Sequence, residues 1–146
     1  MSAMPLHLIK LCVGCDSITD LKDWIDENRA HHRRLGRKYE QKHTTRMVPK
    51  RIADLDGGSL YWVIKGLVAC RQPLLGIKPF TDKDGIGRCH LLLDPVVIPV
   101  EPRPSRPFQG WRYLAGKDAP RDLKAGRGLA KMPEELRQEL AQLGLI

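Results

Sequence analysis

The stretch Ser59–Cys70 (SLYWVIKGLVAC) carries the clearest strand signal in the chain, and its surroundings point to a sheet built largely of antiparallel strands. Asp56-Gly57-Gly58 supplies a strong turn before it, and Gly66 within it reads as a bulge or as a hairpin turn that divides it. Leu74–Ile77 is short and apolar, and Asp82–Gly87 (DKDGIG) is another turn. Arg88–Leu93 and Val96–Val100 follow as strands separated by Asp94-Pro95. Upstream, Leu6–Val13 (LHLIKLCV) fits a first strand closed by Gly14, and His43–Val48 has strand propensity up to Pro49. Pro102, Pro104 and Pro107 are expected to stiffen a loop carrying Arg103 and Arg106, after which Phe108–Leu114 turns apolar again. No helical pattern separates the middle strands, so they lack the crossovers that parallel pairing requires.

Helices are expected only near the two ends. After Asp16-Ser17, which offer capping side chains, Ile18, Leu21, Ile25, His32 and Leu35 recur at helical spacing, and Gly36 is a natural stop. Asp20, Asp23, Asp26 and Glu27 precede Arg29, Arg33, Arg34 and Arg37, the order that a helix dipole favours. Pro133 opens the last helix, with Glu134 and Glu135 in its first turn and Leu136, Leu140 and Leu143 as its apolar stripe. At 146 residues one domain is expected. The fold class read from this pattern is α+β: a small, partly closed β-barrel with an N-terminal and a C-terminal helix.

The charge is unevenly placed. Arg29–Arg51 holds nine basic residues and one acid, Glu40, which equals the whole formal net charge of +8. A local positive field of this kind favours a polyanion. Part of it, Arg29–Lys38, is accounted for as a helix C-terminal end. No apolar run approaches the ~20 residues of a membrane span, so no membrane association is expected. The run Met4–Val13 is broken by His7 and Lys10 and lacks a preceding basic residue, a poor match to a signal peptide. A cytoplasmic protein is expected, and its four cysteines are then buried thiols, metal ligands or redox groups.

Cys12-Val13-Gly14-Cys15 is the sharpest chemical motif, at a strand end just before a helix whose dipole would lower a thiol pKa. Three readings stand: a redox pair, a zinc site completed by Cys70, Cys89 or His90, and packing thiols, the last being favoured. No metal site and no cofactor is therefore assigned. Asp82-Lys83-Asp84-Gly85 lacks the later ligands of a calcium loop, and Gly85-Ile86-Gly87 lacks the third glycine and following helix of a nucleotide fingerprint. Ser17, Ser59 and Ser105 sit in no nucleophile-elbow pattern, so catalytic residues are not assigned.

His43–Arg51 (HTTRMVPKR) differs from the rest of the basic block, because Pro49 forbids a helix there. Arg46, Lys50 and Arg51 are read as phosphate contacts beside His43, with Lys65 and Arg71 extending the patch. Phe108, Trp111 and Tyr113, interleaved with Arg106 and Arg112, form the densest aromatic cluster. Trp111 and Tyr113 are read as a stacking face for bases, with Arg112 between them. Trp24 and Trp62 are read as packing residues.

The strings LHLIKLCVGCDSITDL, HTTRMVPKR, GGSLYWVIKG, DGIGRCHLLLDP and PFQGWRYL together resemble a family of small uncharacterised bacterial proteins known as a domain of unknown function. This resemblance covers residues 4 to about 123 and implies no activity. The order of elements is also similar to the PUA-like superfamily, particularly its EVE and ASCH branches, which implies a small β-barrel that binds RNA or modified bases. The functional expectation is a nucleic-acid-binding module, with RNA favoured over DNA and a modified or extruded base as the unit held. The alternatives are an enzyme acting on a nucleotide or other anionic small molecule, and a basic module that docks a protein partner whose identity is left open.

Overall fold

The computed structural model describes residues 5–124 and 128–146, so Met4, where the apolar N-terminal run begins, lies outside them. Among the described residues the strands are β1 (His7–Leu11), β2 (Gln41–Thr45), β3 (Ser59–Ile64), β4 (Leu67–Thr81), β5 (Gly87–Leu93), β6 (Ile98–Pro104) and β7 (Trp111–Leu114). Two α-helices join them, α1 (Ile18–Arg34) and α2 (Glu134–Gln142).

β3 and β4 form a hairpin across Lys65-Gly66, whose φ angles of 51° and 74° are both in the left-handed region. A two-residue turn of that kind matches the twist of the strands it joins, and it decides the role of Gly66. β4 is 15 residues long and is shared along its length. Its first half pairs with β3 and β6, and its second half with β5. The run Leu74–Ile77, expected as a separate short strand, is thus the middle of β4. Register shifts at Val68/Cys70 and Leu74/Gly76 bend it there. Pro102 and Pro104, expected in a loop, end β6, which pairs with β4 on one side and is bridged at Val100 by Asp122 on the other.

The sheet order is β2-β5-β4-β3-β1-β7, with β6 also on β4. β1 runs parallel to β3, with α1 and β2 in the connection between them, and every other pair is antiparallel. The expected partly closed barrel does not form. β2 and β7 are the two edges of the open sheet, and among the described residues they do not pair. They hold only five and four residues, and the chain leaves β2 toward Pro49 instead of running on along β7. β7 instead holds the segment that follows β2, through the Trp111 indole N–H, which donates to the Met47 carbonyl at 2.7 Å, and through the Tyr113 hydroxyl. The PUA-like architecture, which presupposes a barrel, is therefore not supported.

Period-2 alternation divides the core. Leu8, Leu60, Trp62 and Ile64 face Ile18, Leu21 and Ile25 of α1, while Ile9, Tyr61, Val63 and Val100 pack on the other face. A polar network crosses the first core at Gln72, which is fully buried. Its amide pairs reciprocally with Gln41 at 2.9 and 3.3 Å, accepts from the Trp62 indole at 2.9 Å and donates to the Asp94 carbonyl at 3.0 Å. This fixes β2 against the inner face of β3, since each bond left unmade in the interior would cost about 1–3 kcal/mol.

The Ser17 hydroxyl caps α1 by accepting from Asp20 N at 3.0 Å, and the helix stops at Leu35 before Gly36, whose φ is +67°. The Glu134 carboxylate accepts from Ile18 N at 2.7 and 3.0 Å, tying the start of α2 to the start of α1. The leucine stripe expected on α2 is not its buried face. Leu136 and Leu143 are exposed, whereas Arg137 and Ala141 are buried. The reason is a neighbouring 3₁₀ turn with open carbonyls, since Arg137 donates to Leu129 O and Met132 O.

Candidate functional site

At the C-terminal end of β1 the sheet, α1 and β2 leave a cleft of about 520 Å³. Volumes of ~300–1,000 Å³ are usual for small-molecule sites. Its position follows from strand alternation. Lys10 and Cys12 continue the inward row begun by Leu8, and Lys10 pairs in register with Trp62 on β3. From the opposite side Gln41 and His43 point inward from β2, and Gln41 is already held by Gln72. α1 contributes Leu21 and Trp24, and a row of carboxylates at Asp20, Asp23 and Glu27.

The floor is aromatic. The His43 ring stands edge-on against Trp62, with centroids 5.2 Å apart and planes at 89°. The Nε2 atom of His43 is buried and has no hydrogen-bond partner among the described residues. Burial, reinforced by the Lys10 charge, pushes the His43 imidazole down to about 4, so it is neutral at neutral pH. A neutral ring carries one donor and one acceptor nitrogen, and the buried Nε2 is a polar atom whose hydrogen-bonding capacity is unmet among the described residues. Trp24, expected as a packing residue, is 49 % exposed beside the cleft. Trp62 is buried as expected and also lines the cleft.

Cys12 and Cys15 form the wall nearest α1. The dipole effect expected for this motif is not what governs Cys12. Burial first, then a hydrogen bond with Cys15, holds the Cys12 thiol well above the usual cysteine range. Cys15 stands two residues before the Ser17 cap, and the helix N-terminus already holds the Glu134 carboxylate. Burial likewise pushes Cys70 up to about 12. Among the described residues no three His, Cys, Asp or Glu side chains gather as a metal-binding group, so the zinc alternative is not assembled.

The residues singled out from the sequence fall into two sets. Lys50, Arg51, Trp111 and Tyr113 do come together, along the edge formed by β7, and Arg46 precedes Met47, whose carbonyl the Trp111 indole holds. The Tyr113 hydroxyl accepts from Lys50 N at 3.0 Å and Arg51 N at 3.2 Å, and the Arg51 guanidinium lies 5.7 Å from the Tyr113 ring centroid. Trp111 is 4 % exposed, with its ring in the core, so the ring at the surface is Tyr113 alone. Arg112 points to the other face of β7, over Phe108 at 5.0 Å. Arg71 is engaged by Asp122 at 2.8 Å and by the Ser59 hydroxyl, and Lys65 sits in the β3–β4 turn beside Gln142 of α2. Neither belongs to the edge. His43 begins the segment inside the cleft, Met47 passes Trp111, and Lys50 and Arg51 reach Tyr113. The basic segment therefore leads out of the cleft.

Sequence reading passed over Lys10. The available signal was a lysine inside the apolar run LHLIKLCV at an inward-facing, period-2 position.

A family described as protein of unknown function (DUF1489) matches residues 8–146 of the chain, which extends the likeness through the C-terminal helix. No curated protein and no solved structure matches the chain.

Proposed function

The chain belongs to that family, whose description assigns no activity, and from the cleft and the basic segment leading out of it we propose that the protein binds single-stranded nucleic acid, RNA in preference to DNA, with one extruded base seated in the cleft. The observation that carries this reading is the continuity of the two parts: His43 lies in the cleft, Arg46 follows it in the chain, and Lys50 and Arg51 reach the β7 edge.

Each part has its own chemistry. Trp24, half-exposed beside the cleft, and His43 offer aromatic surface to a base, and stacking of that kind is worth about 1–3 kcal/mol per base. Lys10 and Lys42 stand on the strand side for phosphate. On the helix side Asp20, Asp23 and Glu27 accept from exocyclic amino groups and from a ribose 2′-hydroxyl, and the latter favours RNA. Outside the cleft Arg46 and Lys50 are exposed and hold no ion pair among the described residues, so they remain available to the backbone of the strand.

Side-chain NMR tests the seat. The aromatic signals of His43, Trp24 and Trp62 are expected to shift saturably as short, mixed-sequence, single-stranded RNA is added. Shifts confined to Arg46–Arg51, with the cleft signals unmoved, would remove the base from the cleft.

A further inference from the structure

We propose that Cys12 and Cys15 are a redox-modification site: they close to an intramolecular disulfide by exchange with a low-molecular-weight disulfide that enters through the cleft. The exchange needs no nucleic acid, so it stands or falls separately from the reading above.

Two observations on geometry carry the inference. Both thiols are free, both are half-buried and both line the cleft, so a small reagent reaches them from one opening. The loop between them is turned for closure. Gly14 adopts φ +85°, a conformation that glycine takes without strain, and Val13 is 88 % exposed, which leaves Cys12 and Cys15 pointing to the inside of the turn. Cys70 and Cys89, by contrast, are fully buried, and the same reagent does not reach them without unfolding.

The chemistry balances with glutathione disulfide as oxidant. Cys15 loses its proton to solvent and attacks one sulfur of the reagent. The reagent S–S bond breaks, a protein–glutathione mixed disulfide forms, and the first glutathione leaves as thiolate. Cys12 then gives up its proton and attacks the Cys15 sulfur of the mixed disulfide, which forms the Cys12–Cys15 bond and releases the second glutathione. Two protein thiols are oxidised by two electrons in all, and one glutathione disulfide is reduced to two thiols. Burial keeps Cys12 protonated, so it serves as the resolving thiol, and closure is slow. The same burial denies the reduced pair the stabilised thiolate that makes a dithiol strongly oxidising, so the closed form persists once made.

The test uses the folded, full-length chain. It is incubated with excess glutathione disulfide, quenched with acid, unfolded, alkylated and mapped by mass spectrometry. The expected product is a Cys12–Cys15 linked peptide, with Cys70 and Cys89 alkylated, and dithiothreitol restores two further alkylation sites. In Cys12→Ser the reaction is expected to stop at a single glutathione adduct on Cys15. Four alkylated thiols after exposure, a stable glutathione adduct in the unsubstituted chain, or a bond to Cys70 would each overturn the proposal. The unsubstituted chain decides the matter by itself, whatever the stability of the variant.

Discussion

Replacing Arg46, Lys50 and Arg51 together by alanine is expected to weaken binding of single-stranded RNA roughly 10- to 100-fold at moderate salt and to flatten its salt dependence. On single strands each neutralised phosphate contributes about 0.7 to the slope of log affinity against log salt, so losing three contacts should lower that slope by about 2. The weakening should be similar across sequences, because contacts to phosphate leave the base edges unread. Folding should be nearly unchanged. All three side chains are exposed, and the Arg51–Asp54 pair at 2.9 Å is a surface ion pair of the kind worth about 0–1 kcal/mol. The backbone N–H groups of residues 50 and 51, which hold the segment on Tyr113, survive the change. Arg33→Ala, Arg34→Ala and Arg37→Ala together remove the same charge from the end of α1 and after it, and should cost less affinity. Equal losses in the two triple variants would reduce the effect to net charge and deny the β7 edge a special role.

Gly58→Ala is expected to be the most damaging small substitution in the fold. A Cβ built at Gly58 would lie 2.1 Å from the Leu6 carbonyl oxygen and 3.0 Å from that of Leu55. Both obstacles are backbone, so no rotamer relieves the clash, and the cost should be about 3 kcal/mol or more, the upper end for overpacking. The glycine is also held in place, since its N–H donates to Leu55 O and its carbonyl accepts from Leu74 N, both at 2.9 Å. The segment that must give way is the entry to β1, which carries Lys10 and Cys12 to the cleft. Gly57→Ala is the useful comparison. It introduces strain at φ +78° but meets open space, and should cost about 1 kcal/mol. Thermal unfolding should therefore show a Tm drop of about 10 °C for Gly58→Ala and only a few degrees for Gly57→Ala. Equal drops would mean that the contact between Gly58 and Leu6 is not a tight one.

Local features of this fold were readable from the sequence to a degree set by how local their causes are. Ser17, the acidic first half and Gly36 define α1 through caps and dipole, all within a few residues, and the helix lies where they put it. Lys65-Gly66 makes a hairpin for the same reason. The closure of the sheet was not legible. It depends on whether five residues of β2 reach four residues of β7, and Thr45 and Trp111 at their facing ends lie far apart in the chain. Nor was the buried face of α2, because Arg137 is drawn inward by carbonyls of a preceding turn while two of the three leucines face outward.

The candidate site divides the same way. Pro49 and the charge pattern marked Arg46–Arg51 as a non-helical basic segment, and the structure sets that segment on Tyr113. The cleft itself joins Lys10, Cys12, Trp24, His43 and Trp62 from four elements. Each of those residues has an ordinary explanation in its own strand or helix, so only the fold brings them into one site. Trp111 shows the reverse error. Its arginine-flanked setting reads as an exposed stacking face, whereas its indole N–H is needed by Met47 and its ring by the core.

The central claim, that a salt-sensitive track leads a single strand into the cleft, is tested most directly by titrating the full chain into fluorescently labelled, mixed-sequence, single-stranded RNA at a series of salt concentrations. The expected result is saturable binding that is tighter for RNA than for DNA of the same sequence, with log affinity falling linearly as log salt rises. Absence of saturable binding to either strand, or an affinity that does not move with salt, would contradict it.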